Sequence, residues 1–194
     1  MSFRLILTGA PGAGKGTQAT AVSQELGIPA ISTGEIFRAE IAEKSDIGLE
    51  AQRYISEGNL VPDSVTNEIV RRRLAQADAT NGFLLDGYPR TLEQIDALDQ
   101  MLADKGEQID AMIEISIADE EVSHRLLKRA EIEGRADDTP DVIAHRVAVY
   151  HEATEPIVGA YRNRNKLITV DGMGTIEEVR ARIVSAVKDH LGLK

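Results

Sequence analysis

Phe3-Arg4-Leu5-Ile6-Leu7-Thr8 runs directly into Gly9-Ala10-Pro11-Gly12-Ala13-Gly14-Lys15-Gly16-Thr17, and this stretch decides the fold. The first six residues form a short apolar run that predicts a buried strand, and the residues from Lys15 onward predict a helix over 15–26. Between them, Gly9-x4-Gly14-Lys15 has the spacing of a phosphate-binding loop in the strand–loop–helix context that such a loop requires. Glycines let successive backbone N–H groups turn inward around a phosphate, and the helix N-terminus adds its partial positive charge. Lys15 then serves as a point charge for the β- and γ-phosphates. Read alone, the same residues would also make a Gly-rich turn with an incidental lysine, but spacing, context and Lys15 agree. Gly12, Ala13, Gly14, Lys15, Gly16 and Thr17 are therefore the expected triphosphate site.

Outward from this loop, apolar runs and amphipathic stretches alternate. Strands are expected at 3–8, 30–31, 83–85, 111–117 and 167–170, and helices near 15–26, 34–44, 63–77, 91–105, 119–130, 140–158 and 175–190. Alternation of this kind predicts an α/β fold, a parallel sheet covered by helices on both faces. Thr175-Ile176-Glu177-Glu178 and Ser32-Thr33-Gly34-Glu35 fit the capping-box pattern, and Thr139-Pro140 puts proline at a first helical position. The polar stretch 130–138 reads as a mobile loop. No repeat, low-complexity tract or linker divides the 194 residues, so one domain with insertions is expected.

Composition removes several classes of function. Hydrophobic residues at 42% and charged residues at 28% are ordinary globular values and argue against disorder. The chain has no Cys, which excludes disulfides and a thiolate zinc site. A net charge of -10 argues against nucleic acid and anionic membranes as partners, because both need a basic surface. The N-terminal apolar run is too short for a signal-peptide core and no run reaches membrane-spanning length, so a cytoplasmic protein is expected.

The loop through Gln18 resembles that of the adenylate kinase family, and further motifs follow in that family's order along essentially the whole chain. Ser32-Thr33-Gly34-Glu35-Ile36-Phe37-Arg38, Asn59-Leu60-Val61-Pro62-Asp63 and Asp86-Gly87-Tyr88-Pro89-Arg90-Thr91 each resemble a segment of its AMP site. The resemblance implies a P-loop NTPase-type three-layer sandwich with a five-stranded parallel sheet, a small mobile AMP-binding insertion at about 32–61 and a short lid at about 129–138. It further implies that Thr33, Arg38, Asn59, Leu60, Val61, Gly87, Tyr88, Pro89, Arg90 and Gln94 contact AMP. Arg38 and Arg90 offer planar forks for one phosphate, and Gln94 can pair with an adenine edge. Thr33 favours AMP over CMP or UMP, since related pyrimidine kinases carry Ala there.

Arg125, Arg129, Arg135 and Arg146 would by themselves read as a solvated charged face. The resemblance instead implies that Arg129 meets ATP, that Arg135 and Arg146 meet AMP and the transferring phosphoryl, and that Arg125 lies near the adenine or the lid hinge. With Lys15 and Arg90, they make the expected catalytic set of Lys15, Arg90, Arg129, Arg135 and Arg146. Gly174, in Val170-Asp171-Gly172-Met173-Gly174-Thr175, is implied beside the ATP adenine. Five residues separate Arg129 from Arg135, a lid too short for the inserted zinc site of many relatives. Glu131 and Glu133 fall inside that lid without an evident role.

Gly16 stands where most phosphate loops place a metal-holding Ser or Thr, which weakens a GTPase reading and leaves Mg²⁺ to phosphate oxygens and water. Asp86, ending an apolar strand, is the expected indirect, water-mediated metal residue. The expected cofactor is Mg²⁺ without zinc, the expected partners are ATP and AMP, and the resemblance implies a monomer. A pyrimidine monophosphate kinase, a GTPase-type switch and a catalytically silent nucleotide-binding protein remain as rival readings. No guanine-recognition Asn-Lys-x-Asp occurs.

Overall fold

The computed structural model describes residues 2–133 and 139–192. Five strands, β1 (Phe3–Thr8), β2 (Ala30–Ser32), β3 (Gly82–Asp86), β4 (Ala111–Ser116) and β5 (Leu167–Asp171), form one sheet in the order β2-β3-β1-β4-β5. Every pairing is parallel, and β1 runs in register with β3 from Phe3 opposite Gly82 to Leu7 opposite Asp86. A parallel sheet must be covered on both faces, which is why its strands read as continuous apolar runs rather than alternating ones.

The pleat divides the strand side chains between two cores. Leu5, Leu7, Leu84, Ala111, Ile113 and Ile115 pack against α1 (Lys15–Leu26) and α9 (Ile176–His190) through Val22, Ile183 and Val187. Ile6, Phe83, Leu85 and Met112 point the other way, against α4 (Asp63–Leu74), α5 (Leu92–Ala103) and α8 (Glu155–Asn163) through Val70, Leu98, Ile157 and Tyr161.

Local chemistry explains several helix ends. The Thr175 capping box forms in both directions, with the Thr175 hydroxyl accepting from the Glu178 N–H and the Glu178 carboxylate accepting from the Thr175 N–H. At α2 (Thr33–Ala42), Ser32 caps the Glu35 N–H, which supplies half of the expected box. Pro140 opens α7 (Pro140–Val149), but Thr139 makes no side-chain cap.

Three expectations need correction. A helix absent from the sequence reading, α3 (Asp46–Ser56), starts where the Ser45 hydroxyl accepts the Gly48 N–H. It packs on α2 so closely that a Cβ on Gly48 would stand 2.6 Å from the Ile41 nitrogen and closer still to the Glu40 carbonyl. Phe37, Ala51 and Val61 of this region thus share a small core with Ile69 of α4. The helix expected at 140–158 instead runs as α7, a π-turn at Tyr150–Thr154 and then α8 as far as Asn163, because Pro156 sits at its first turn without breaking the helix. Finally, the loop expected over 130–138 begins late, since α6 (Asp119–Glu133) carries Ala130 to Glu133 in helix; Gly134 to Asp138 lie outside the described residues.

Candidate functional site

A cleft of about 440 Å³ opens at the carboxyl ends of the strands, bordered by the loop after β1, the start of α2, the loop after β3, α6 and α7. In a doubly wound parallel sheet this edge gathers the strand-to-helix loops and is where ligands bind.

The loop after β1 is shaped by three left-handed glycines, Gly9 (φ 144°), Gly12 (φ 79°) and Gly14 (φ 91°). Gly9 has a second reason to lack a side chain, since a Cβ there would lie 2.5 Å from the Ile115 carbonyl oxygen. Gly14 caps α1 without any side-chain hydrogen bond, and α1 carries no acidic residue in its first turn. By contrast, Ser32, Ser45, Thr91 and Thr175 all cap their helices with side-chain oxygens. The first N–H groups of α1 are therefore available to an anion.

Lys15 Nζ donates to the Gly9 and Ala10 carbonyl oxygens at 2.8 and 2.9 Å. Burial pushes its ammonium down from the ordinary lysine value to about 7. Asp86 opposes that shift, and the charges of Arg90, Arg146 and Arg129 deepen it. Four cations thus converge on one volume. Burial likewise lowers the Arg90 guanidinium, with Asp86 opposing and Arg38 adding to the shift. A site that holds cations against their own solvation is built to receive negative charge.

On the other side of the cleft, the Gly87 carbonyl oxygen accepts from both the Thr33 hydroxyl (3.0 Å) and Arg90 Nε (2.8 Å). The single hydroxyl proton of Thr33 is thereby committed, leaving its oxygen as an acceptor. Gln94 is almost fully buried, and its Oε1 accepts from the Arg90 backbone N–H at 2.7 Å. Arg125 ties α6 to the loop after β5: Nε donates to Glu121 at 2.6 Å and Nη2 to the Gly172 carbonyl at 3.2 Å.

Comparison with known proteins agrees with this geometry. The family described as "Adenylate kinase" matches residues 7–166. The adenylate kinase of Micrococcus luteus is 54% identical over 184 residues, covering 95% of this chain and 90% of its own length. That of Kocuria rhizophila is 52% identical over 185 residues, 95% of this chain and 98% of its own, and that of Thermobifida fusca is 49% identical over 188 residues, 97% and 100%.

The chain belongs to the adenylate kinase family. It is accordingly a kinase, a phosphotransferase whose loop after β1 is the nucleotide-binding P-loop of that family, on the family's five-stranded parallel sheet.

Most of the candidate residues border the one cleft. Gly12, Gly14, Lys15, Gly16 and Thr17 face it from the P-loop, and Thr33, Arg38, Asn59, Leu60, Val61, Gly87, Pro89, Arg90 and Gln94 from the opposite side. Arg125, Arg129, Arg146 and Asp86 close it. Among the described residues, three candidates stand apart. Ala13 is buried, and its N–H donates to the Ala10 carbonyl at 3.1 Å. Tyr88 is fully buried, and its hydroxyl donates to Asn67 Oδ1 (2.7 Å), with the Gln94 carbonyl at 3.2 Å, so the side chain braces the loop from behind. Gly174 lies beyond Arg125 in the loop after β5, left-handed at φ 112° and outside the cleft wall. Arg135 lies outside the described residues.

The sequence reading missed Tyr150 and Thr154, which border the cleft from the π-turn, and Asp63, which holds Gln94 from α4. The first two carried no signal, because a π-turn has no sequence pattern of its own. Asp63 was visible as the last residue of the Asn59–Asp63 segment, but nothing in the sequence gave it a partner.

Asp86 ends β3 with its carboxylate nearly buried, and its Oδ2 lies 3.9 Å from where a Cβ on Gly16 would stand. Among the described residues no three His, Asp or Glu side chains gather into a metal cage. One carboxylate beside a phosphate loop fits Mg²⁺, which keeps several waters and takes its other oxygens from substrate phosphates.

Proposed function

We propose that the chain catalyses the reversible, Mg²⁺-dependent transfer of the ATP γ-phosphoryl group to AMP, giving two ADP. It does so as a cytoplasmic monomer acting on free nucleotides, with no nucleic acid or membrane partner. The observation that carries this reading is the convergence of Lys15, Arg90, Arg129 and Arg146 between a phosphate loop on one side and the Thr33–Gln94 pair on the other.

The P-loop N–H groups and Lys15 hold the ATP phosphates, and Arg38 and Arg90 hold the AMP phosphate. Arg129 and Arg146, joined by Arg135 on the strength of the family resemblance, stabilise the charge that spreads over the equatorial oxygens in the transition state. An AMP phosphate oxygen is already an anionic nucleophile, so no general base and no covalent enzyme intermediate are required; positioning and fixed charge suffice. Asp86 would hold Mg²⁺ through water, and the ion, when bound, neutralises charge between the β- and γ-phosphates. On the strength of the family resemblance, the insertion at about 32–61 and the short lid at about 129–138 would close over the nucleotides and exclude the water that would turn the enzyme into an ATPase.

The AMP base lies against Thr33 and Gln94, with the Thr33 oxygen accepting from the exocyclic amine. Arg125 and the loop at 172–174 flank the ATP adenine. An acceptor panel of AMP, CMP, UMP and GMP against ATP and GTP tests the reading. AMP is expected to be strongly preferred; equal rates with CMP would overturn the acceptor assignment.

A further inference from the structure

The side-chain amide of Gln94 is held by two partners that are chemically opposite. Its Oε1 accepts the Arg90 N–H at 2.7 Å, and its Nε2 donates to Asp63 Oδ1 at 2.6 Å. Asp63 is itself fixed, because its Oδ2 accepts the Thr91 hydroxyl at 2.9 Å. That hydroxyl oxygen in turn caps α5 by accepting the Gln94 N–H at 3.2 Å. The three side chains close a ring joining the first turns of α4 and α5.

This ring determines which end of the amide is which. Rotating the amide by half a turn would set Oε1 against the Asp63 carboxylate and the NH₂ group against the Arg90 N–H, exchanging two hydrogen bonds for two repulsions. In the orientation held, Nε2 keeps one further N–H and Oε1 one further lone pair, in fixed order, on a residue that borders the cleft. A 6-aminopurine presents an acceptor at N1 and a donor at N6, which match that order. A 6-oxopurine presents a donor at N1 and an acceptor at O6, which oppose it at both atoms.

Asp63 does not border the cleft. We propose that Asp63 is a positioning residue that locks the Gln94 amide in the orientation accepting a 6-aminopurine monophosphate and rejecting a 6-oxopurine one. The proposal rests on the reading of the Gln94 side of the cleft as the acceptor-base site.

The test compares AMP with IMP, which differ at the 6-position and at N1, in wild type, Asp63→Asn, Asp63→Glu and Gln94→Ala. Asn can face Gln94 with either a donor or an acceptor, so Asp63→Asn removes the charge-assisted lock. The ratio of kcat/KM for AMP over IMP is expected to fall about ten-fold or more, chiefly through KM for AMP, with kcat at saturation little changed. Asp63→Glu keeps an acceptor carboxylate and should retain most of the ratio. A lower kcat with an unchanged ratio in Asp63→Asn would make Asp63 a structural brace and overturn the proposal. If Asp63→Asn does not fold, Asp63→Ser carries the same prediction; collapse of both would also overturn it. Gln94→Ala separates the two levels: an unchanged KM for AMP there refutes the acceptor-base reading itself. A raised KM there with an unaltered Asp63→Asn ratio refutes only the role of Asp63.

Discussion

Lys15 is the place where the charge of the cleft can be measured. Its ammonium is held down to about 7, chiefly by burial, while a free lysine titrates near 10.5. At pH 8.5 a group with that pKa is about 3% protonated, whereas one restored to the ordinary lysine value is about 99% protonated. Seating a polyphosphate beside Lys15 reverses the balance, because opposite charge at contact favours the protonated form. Binding should therefore take up roughly 0.9 to 1 proton at that pH. The assay is calorimetric titration of a non-hydrolysable ATP analogue with Mg²⁺, run in buffers of different ionisation enthalpy, where the slope of observed heat gives the protons exchanged. Lys15→Met should remove the uptake while preserving the circular dichroism spectrum, and should cut turnover by about 10² or more. The linkage has a definite sign. The folded pKa lies below the unfolded one, so between about 7 and 10.5 the unfolded chain holds a proton that the empty native state does not. The stability of the empty protein should rise with pH across that window, and bound nucleotide should flatten the rise. A slope near zero, or the same slope in Lys15→Met, would refute the reasoning.

Three further outcomes are expected. Gly48→Ala places a methyl group into the Glu40–Ile41 backbone of α2 and should cost about 1–3 kcal/mol of stability by denaturant titration, with KM for AMP rising because the insertion at about 32–61 is displaced; wild-type stability would show that α2 and α3 can separate freely. His151 joins Glu155 at 2.9 Å and Asp119 at 3.1 Å, and its pKa is raised, chiefly by Glu155; burial opposes the shift and Asp119 adds to it. Its contribution is thus complete below the ordinary histidine value and lost as pH rises through the folded one, so the Tm difference between wild type and His151→Gln should close as pH rises above the ordinary histidine value; a difference that widens with pH contradicts this. Gly58, left-handed at φ 79°, packs under α7, where a Cβ would lie 2.9 Å from Arg146 Cγ, and the neighbouring Asn59 Oδ1 lies 2.7 Å from His145 Nε2. Gly58→Ala should therefore raise KM for AMP several-fold by pushing this loop off α7, and an unchanged KM would show that the contact has no part in binding.

What the sequence could reveal was what local rules govern. β1, the glycine loop and α1 were legible because a phosphate loop needs glycine at fixed offsets between an apolar strand and a helix. Thr175 to Glu178 was legible because a capping box is complete within four residues. The α3 helix was not: its apolar positions Ile47, Ala51, Tyr54 and Ile55 are helical in spacing, but Gly48 interrupts the pattern for a reason that exists only in three dimensions, the backbone of α2 beside it. The extent of the α7–α8 run was likewise hidden, since the π-turn at Tyr150–Thr154 is defined by packing rather than by composition. At the site, most side chains that border the cleft carried signals of residue type, Tyr150 and Thr154 excepted. Those that hold them did not, because Asp63 meets Thr91 and Gln94 across 28 and 31 residues of chain.

The loop after β3 explains why the two sides of the cleft act as one site. β3 lies between β2 and β1, so its carboxyl end stands between the start of α2 and the P-loop. Asp86 faces Gly16 on the P-loop side, and one residue later the Gly87 carbonyl accepts both the Thr33 hydroxyl and Arg90 Nε. Gly87 is left-handed at φ 78°, and a Cβ there would stand 2.9 Å from Arg90 Nη2 and 3.0 Å from Thr33 Oγ1. Only a residue without a side chain allows both groups to reach that one oxygen. A shift of this loop therefore moves the Thr33 hydroxyl, the Arg90 guanidinium and the Asp86 carboxylate together. In the proposed reading, the distance from acceptor base to transferred phosphoryl is thus set by the backbone of a central strand rather than by mobile side chains, which is the rigidity that transfer by positioning requires.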